Sequence, residues 1–256
     1  MDAVAEFLDV AGHELRNPIA SLKGHAQLFR RRVAKQQGRE ADVAELDKML
    51  YQVERIEHEL DVYLEAARLQ RRRVQLTPDL CDLPEIVRKL VELYSHSVGG
   101  HDIRLELGAD TLFGTWDKRR VRMAVEVLLA NAVKYGREQE VVVRLLPLPG
   151  GARVEVLDRG IGVPGRERQS IFRAYARGSN VENGGPGLGL YVARALVRLH
   201  GGRIGVAARE GGGSVFWLEL PLSVPEKASR RDGQRTRDAE RVPEPVGAMR
   251  PGRIGA

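Results

Sequence analysis

Phe7-Leu8-Asp9-Val10-Ala11-Gly12-His13-Glu14-Leu15-Arg16-Asn17-Pro18 is the stretch on which the reading of this chain turns. Apolar residues recur around it at Val4, Leu8, Ala11, Leu15, Leu22, Ala26, Phe29 and Val33, in the steps of three and four that mark a helix with a coiled-coil type stripe. His13 falls about 200° round that helix from Ala11, so its imidazole is expected to face water or a partner. Asn17, four residues on, shares its face. Pro18 has no N–H to give the carbonyl of Glu14 and crowds it, so the backbone beside the histidine should bend. Taken alone, the stretch is equally an exposed histidine on an amphipathic helix with an incidental kink.

The helix is expected over about residues 2–35. Lys35-Gln36-Gln37-Gly38-Arg39 breaks it, and a second stripe follows at Val43, Leu46, Leu50, Val53, Ile56, Leu60, Leu64 and Ala67. Two such helices form an antiparallel hairpin that cannot bury both stripes alone. A four-helix bundle made by two copies is the economical solution; docking onto the rest of the same chain is the alternative. Arg71-Arg72-Arg73 closes the second helix with cations near its carboxyl end.

Beyond residue 73 short β-type runs alternate with helical patterns. Strands are expected at Val74–Leu76, Ile103–Leu107, Val141–Leu145, Arg153–Leu157, Arg203–Ala207 and Val215–Leu220, and helices near 84–97, 118–135 and 188–199. The fold class is therefore α+β: a helical hairpin over 1–72, then a two-layer α/β sandwich with a mixed sheet over 73–222. From Ser223 to Ala256 prolines and charges dominate, and the tail is expected to be disordered.

Composition narrows the function. No apolar run approaches the roughly 18 residues of a membrane span, and Met1-Asp2 does not open a signal peptide. Cys81 is the single cysteine, which excludes an internal disulfide and fits a reducing, cytoplasmic setting. Half of the +6 formal charge lies in the tail, so the folded part carries no nucleic-acid footprint. The six histidines lack metal-ligand spacing.

Four clusters in the second half carry chemistry. Asn131, Lys134 and Tyr135, at i, i+3 and i+4, can line one side of a helix end behind the N-cap Asp117, offering an amide, an ammonium and an aromatic ring. Asp158-Arg159-Gly160-Ile161-Gly162 leaves a strand with a carboxylate and glycines that let backbone approach a flat ligand. Ile171 to Ser179, with Phe172, Tyr175 and Arg177, reads as the anchored root of a lid. Gly184-Gly185-Pro186-Gly187-Leu188-Gly189-Leu190 opens a helix whose free N–H groups can hold phosphates. The spacing is not that of a dinucleotide fold, and no Walker lysine follows.

In this order, behind the histidine helix, the clusters resemble the H, N, G1, F and G2 boxes of the sensor histidine kinases of two-component signalling. The resemblance covers roughly residues 2–222. It implies a dimerisation and phosphotransfer hairpin followed by a Bergerat-type ATP-binding domain, with ATP and Mg²⁺ as cofactors. His13 would take the γ-phosphoryl group and Glu14 would hold or deprotonate the imidazole. Asn17 would orient water for dephosphorylating the partner. Asn131 would bind Mg²⁺, Lys134 and Arg177 would contact phosphates, Tyr135 would lie against the nucleotide, and Asp158 would read the adenine amine. Gly160, Gly162, Phe172, Gly185, Gly187, Leu188, Gly189 and Leu190 complete the implied nucleotide site. The implied partners are a second copy of the chain, a response regulator receiver domain and a separate sensor domain or protein. Two positions depart from the family pattern: Val127 replaces an asparagine and Pro186 a small hydroxyl residue. They raise an alternative, a phosphatase-dominant or catalytically weak nucleotide-binding scaffold.

Overall fold

The computed structural model describes residues 3–71, 74–97, 102–136, 139–181 and 186–223, and the side chains of residues 3–11, 13, 96 and 97 lie outside the description. Helix α1 spans Ala3–Val33 and runs on through Pro18. Helix α2 spans Glu40–Gln70 and packs along it. The face α1 turns to α2 is Gly12, Arg16, Ile19, Lys23, Ala26, Arg30 and Val33, a seven-residue repeat that is only partly apolar. Ion pairs fill it: Arg16 with Asp61 at 2.5 Å, Lys23 with Glu57 at 2.8 Å, and Arg30 with Asp47. The expected stripe is thereby split. Leu15, Leu22 and Phe29 on α1, and Met49, Ile56 and Tyr63 on α2, each at seven-residue spacing, stay exposed in the single chain.

After the hairpin come β1 (Asp79–Asp82), α3 (Leu83–Ser97), β2 (Ile103–Leu107), β3 (Phe113–Trp116) and α4 (Lys118–Tyr135). Then follow β4 (Val141–Leu148), β5 (Gly151–Leu157), α5 (Gly189–Leu199), β6 (Arg203–Ala208) and β7 (Ser214–Pro221). The main sheet has the order β2-β4-β5-β7-β6, with β2 and β4 parallel and the other pairs antiparallel. Its buried face, including Val143, Leu145, Val154, Val156, Leu218 and Leu220, meets α3, α4 and α5. The opposite face is a ladder of alternating charge, Glu106–Arg144–Glu155–Arg153–Glu219–Arg203, with Arg153 over the Trp217 ring at 4.5 Å. One apolar and one solvated face is what the period-two pattern of these strands dictates.

Two elements differ from the sequence expectation. Val74–Leu76 is not a strand, and β1 pairs antiparallel with β3 in a ribbon the pattern did not reveal. The ribbon is four residues long on each side and is anchored by Trp116, which is fully buried and donates from Nε1 to the Pro221 carbonyl at 2.6 Å. That anchor is a tertiary contact, invisible to local periodicity. The expected tail lies, from residue 224, outside the described residues. Among the described residues no helix is long and apolar enough to cross a membrane.

The hairpin does not stand apart from the sheet domain. Val62 and Ala66 of α2 belong to the same apolar core as α4 and α5. Beside them Glu65, with no exposed surface, accepts from Arg120 Nε at 2.8 Å and Arg119 Nη2 at 3.0 Å. Arg120 in turn donates to the Gln75 carbonyl at 2.7 Å and pairs with Asp117. Asp117 caps α4 by accepting from the Arg120 N–H at 3.0 Å and also takes the Thr77 N–H and hydroxyl. Its own N–H donates to His200 Nε2 at 3.1 Å, at the end of α5. Burial would push the Glu65 carboxyl up, but hydrogen bonds and charge from Arg120 and Arg119 outweigh it and hold it below its ordinary value.

Glu65→Ala leaves a buried guanidinium without its main partner and is expected to cost about 3 kcal/mol, read as a lower urea midpoint of unfolding. Because the folded carboxyl is held low, its stabilisation is present above the unfolded-state value and is lost as pH falls through the folded one. The gap between parent and variant should therefore narrow on acidification; a gap independent of pH would contradict the assignment.

Candidate functional site

A cavity of about 510 Å³ opens between α4, the loops after β5 and before α5, and the face of α2. That volume suits one small-molecule ligand. Asn131, Lys134, Tyr135, Asp158, Gly162, Arg177, Gly187, Leu188, Gly189 and Leu190 all line it. The four sequence clusters are thus brought to one place.

Each element has a local reason. Asp117 starts α4 and the buried stripe Val121, Val125, Leu128 and Ala132 fixes its rotation, which leaves Asn131, Lys134 and Tyr135 on the cavity side. Among the described residues the Asn131 amide has no hydrogen-bond partner. Lys134 lies 5.5 Å from the Tyr135 ring centre, and burial pushes the Tyr135 hydroxyl up while the nearby Arg177 charge lowers it. A chain leaving β5 meets the end of α4 so closely that a side chain at Gly160 would overlap the Tyr135 carbonyl oxygen. The Ile161 N–H donates to that oxygen at 3.3 Å. Only glycine permits this approach.

Asp158 is 4% exposed, and its Oδ1 accepts from the N–H groups of Gly160 at 2.8 Å and Ser214 at 3.3 Å. Burial pushes its carboxyl up, and those two N–H groups offset only part of that. A buried carboxyl on the cavity wall with an oxygen to spare is an acceptor for a ligand N–H. On the opposite wall, Gly187 has φ +74° and its missing side chain makes room for the Ala176 carbonyl oxygen, 2.5 Å from where a Cβ would stand. Tyr175, exposed and at φ 62°, donates its N–H to the Gly187 carbonyl at 3.0 Å. Gly187 to Gly189 then lead into α5, whose first N–H groups border the cavity.

Other expected site residues fall elsewhere. Phe172 is buried in the core and, like Gly160, is not on the cavity wall. Gly185 lies outside the described residues, as does the side chain of His13; Glu14 and Asn17 are exposed on α1. Gly12 is buried against Leu64, which sets the level of the histidine along the hairpin. Val127 is buried and lines the cavity, 3.3 Å from the place of a Cβ on Gly189.

Several residues on the wall or bracing it escaped sequence reasoning. Asn180 donates to the carbonyls of Ile161 and Gly162, both at 3.1 Å, and so ties the lid root to the glycine loop. Glu167 accepts from the Ser179 N–H at 2.9 Å and hydroxyl at 2.6 Å. The α2 face, Tyr51, Arg55, His58 and Val62, forms a further wall. Its 4-3-4 spacing was visible, but nothing in the sequence said what it faced.

A nucleotide fits this wall: an acceptor at Asp158, an aromatic at Tyr135, cations at Lys134 and Arg177, and helix N–H groups at α5. Among the described residues no group of three His, Cys, Asp or Glu could hold a metal. Mg²⁺ needs no such group, because it keeps waters and phosphate oxygens and takes one or two protein ligands; the Asn131 amide oxygen suits it.

Comparison with known proteins gives the family. Residues 3–72 match the His Kinase A (phospho-acceptor) domain, and residues 116–224 match the histidine kinase-, DNA gyrase B-, and HSP90-like ATPase family. The chain is 31% identical over 238 residues to the sensor histidine kinase AruS of Pseudomonas aeruginosa, covering 87% of this chain and 23% of AruS. It is 30% identical over 221 residues to the sensor histidine kinase MtrB of Mycolicibacterium paratuberculosis, covering 84% of this chain and 39% of MtrB. The crystal structure of full-length ShkA in complex with AMPPNP matches 86% of this chain and 46% of its own at 26% identity, with a TM-score of 0.60. The mycobacterial sensor histidine kinase MprB matches 58% of this chain and all of its own at 25% identity, with a TM-score of 0.52. The chain therefore spans only about a quarter to two-fifths of the length of these curated relatives. With both matches in tandem, and a cavity built where the four sequence clusters converge, the chain belongs to the sensor histidine kinase family.

Proposed function

We propose that the chain is an ATP-dependent protein histidine kinase. It phosphorylates its own His13, passes the phosphoryl group to an aspartate of a response regulator receiver domain, and also dephosphorylates that partner. Carrying the proposal is the cavity in which Asp158, Tyr135, Asn131, Lys134, Arg177 and the α5 N-terminus converge, downstream of a histidine followed by a carboxylate. Residues 1–72 serve as the dimerisation and phosphotransfer unit, 73–222 as the catalytic unit, and 223–256 as a tail.

The chemistry follows from residue types. Asp158 accepts the exocyclic amine of adenine, Tyr135 packs against the base, and Gly162 lets the backbone come close to it. Lys134 and Arg177 meet the phosphates, together with the N–H groups that begin at Gly187 and Gly189. Mg²⁺, held on the protein side by Asn131, offsets phosphate charge when bound. Glu14 fixes the His13 proton on one ring nitrogen, so the other attacks the γ-phosphorus with its lone pair. The N–P bond forms as the bond to the β-phosphate oxygen breaks. ADP leaves, and the ring proton passes to the carboxylate. In the reverse phase of signalling, Asn17 orients a water toward the acyl phosphate of the partner.

The exposed seam of Leu15, Leu22, Phe29, Met49, Ile56 and Tyr63 supports a homodimer, since heptad-spaced apolar residues on both helices of a hairpin fit a four-helix bundle of two copies.

His13→Gln is expected to abolish acid-labile labelling from γ-labelled ATP and Mg²⁺; labelling equal to the parent would refute the site. Leu22→Glu should convert the dimer to a monomer in light scattering, because it places two charges in one apolar seam; an unchanged mass would exclude that seam. Asn17→Ala should slow dephosphorylation of the phosphorylated partner about tenfold or more while sparing His13 labelling, the size of effect seen when a positioned polar group is removed.

A further inference from the structure

We propose that His58 of the hairpin is part of the nucleotide site and contacts the phosphate end of the bound nucleotide. The inference rests on the ATP reading above and adds to it a residue from outside the ATP-binding domain.

His58 lies on α2 and lines the cavity, with its side chain 14% exposed. Its Nδ1 is 3.5 Å from Oε1 of Glu126 on α4, a carboxylate that is itself buried and does not line the cavity. Arg122 takes the other carboxylate oxygen at 3.2 Å. Burial would raise the Glu126 carboxyl, but His58, Arg122 and Lys23 outweigh it and keep it low. A carboxylate beside Nδ1 orients the imidazole and leaves Nε2 as the nitrogen available to a ligand in the cavity that the side chain lines. Among the described residues Nε2 has no partner. The carboxylate–imidazole pair therefore presents one oriented ring nitrogen to whatever occupies the space.

Position along α4 says which part of the ligand that is. At its carboxyl end, Gly136 abuts Asp158, whose Cβ is 3.9 Å from where a Cβ on Gly136 would stand. This is the adenine end. Glu126 lies ten residues earlier, about 15 Å back along the helix axis. Next to it, Val127 packs against Gly189 at the start of α5, whose N–H groups suit phosphate. The Val127 side chain offers no polar atom at this level, and His58, held beside the neighbouring Glu126, does. As the imidazolium, with Nδ1–H toward Glu126, the ring donates its Nε2–H to phosphate oxygens here, not to the base.

Nucleotide binding to the full chain tests this. With Mg²⁺-ATP, His58→Ala should raise the Kd about tenfold, the loss expected for one charge-assisted hydrogen bond. Its Kd for adenosine should stay at the parent value, because adenosine lacks the group contacted. His25→Ala, an exposed histidine on α1, should change neither. ATP binding by His58→Ala equal to that of the parent overturns this proposal alone. Equal weakening toward ATP and adenosine also overturns it, since that marks a collapsed wall. Failure of the parent to bind ATP overturns the nucleotide reading itself.

Discussion

A fully buried carboxylate, Glu65, joins the hairpin to the rest of the molecule, and the arrangement of the site depends on it. It sits on α2 between Val62 and Ala66, which enter the domain core, and one residue from Leu64, which packs on Gly12. Through Arg120 it reaches the cap of α4, and through Asp117 it reaches Thr77 in the connecting segment and His200 at the end of α5. Desolvating these charges is costly, and only near-complete pairing offsets it. The result is specificity of placement: α2 cannot slide along α4 without leaving a buried charge unpaired. Level along the hairpin and level along the nucleotide helix are thereby locked together.

That lock explains why the cavity has a wall made of α2. The ATP-binding domain contributes α3, α4 and α5 from one side of its sheet, and the other side stays in water under a ladder of alternating charge. The cavity therefore lies on the helical side, where the hairpin docks. Tyr51 meets Tyr94 edge-on at 6.5 Å, and His58 meets Glu126, both on the same flank of α2. The docked geometry brings the hairpin and the cavity into one assembly within a single chain.

Much of the fold was legible from periodicity. The helical stripes set α1 and α2 within a few residues, and α4 and the strands β4, β5 and β7 followed from alternation and from the Asp117 cap. The β1–β3 ribbon was not legible, because its four-residue strands are held by the burial of Trp116 rather than by their own pattern. Among site residues, Asn131, Lys134, Tyr135, Asp158 and the glycines Gly187 and Gly189 were picked out by residue type and spacing, Arg177, Leu188 and Leu190 by the family resemblance, and the cavity gathers them all. Phe172 was named too, yet it is core, since an aromatic at a lid root serves the hydrophobic anchor before it serves the ligand.

The sequence by itself determined the two-part organisation, the two helical stripes of the hairpin and, with the family resemblance, the groups able to hold a nucleotide. Those depend on local spacing, capping and glycine, which are properties of short stretches. Only the tertiary structure decided which face of each helix meets which neighbour. The same stripe on α2 could have met a second copy, α1 or the nucleotide domain. Burial of Glu65 against Arg120 assigns one flank to the domain and leaves Met49, Ile56 and Tyr63 exposed. His58, an ordinary histidine among charged neighbours in the sequence, becomes a wall of the site for that reason alone: the partner that orients it, Glu126, is sixty-eight residues away and meets it only in the folded chain.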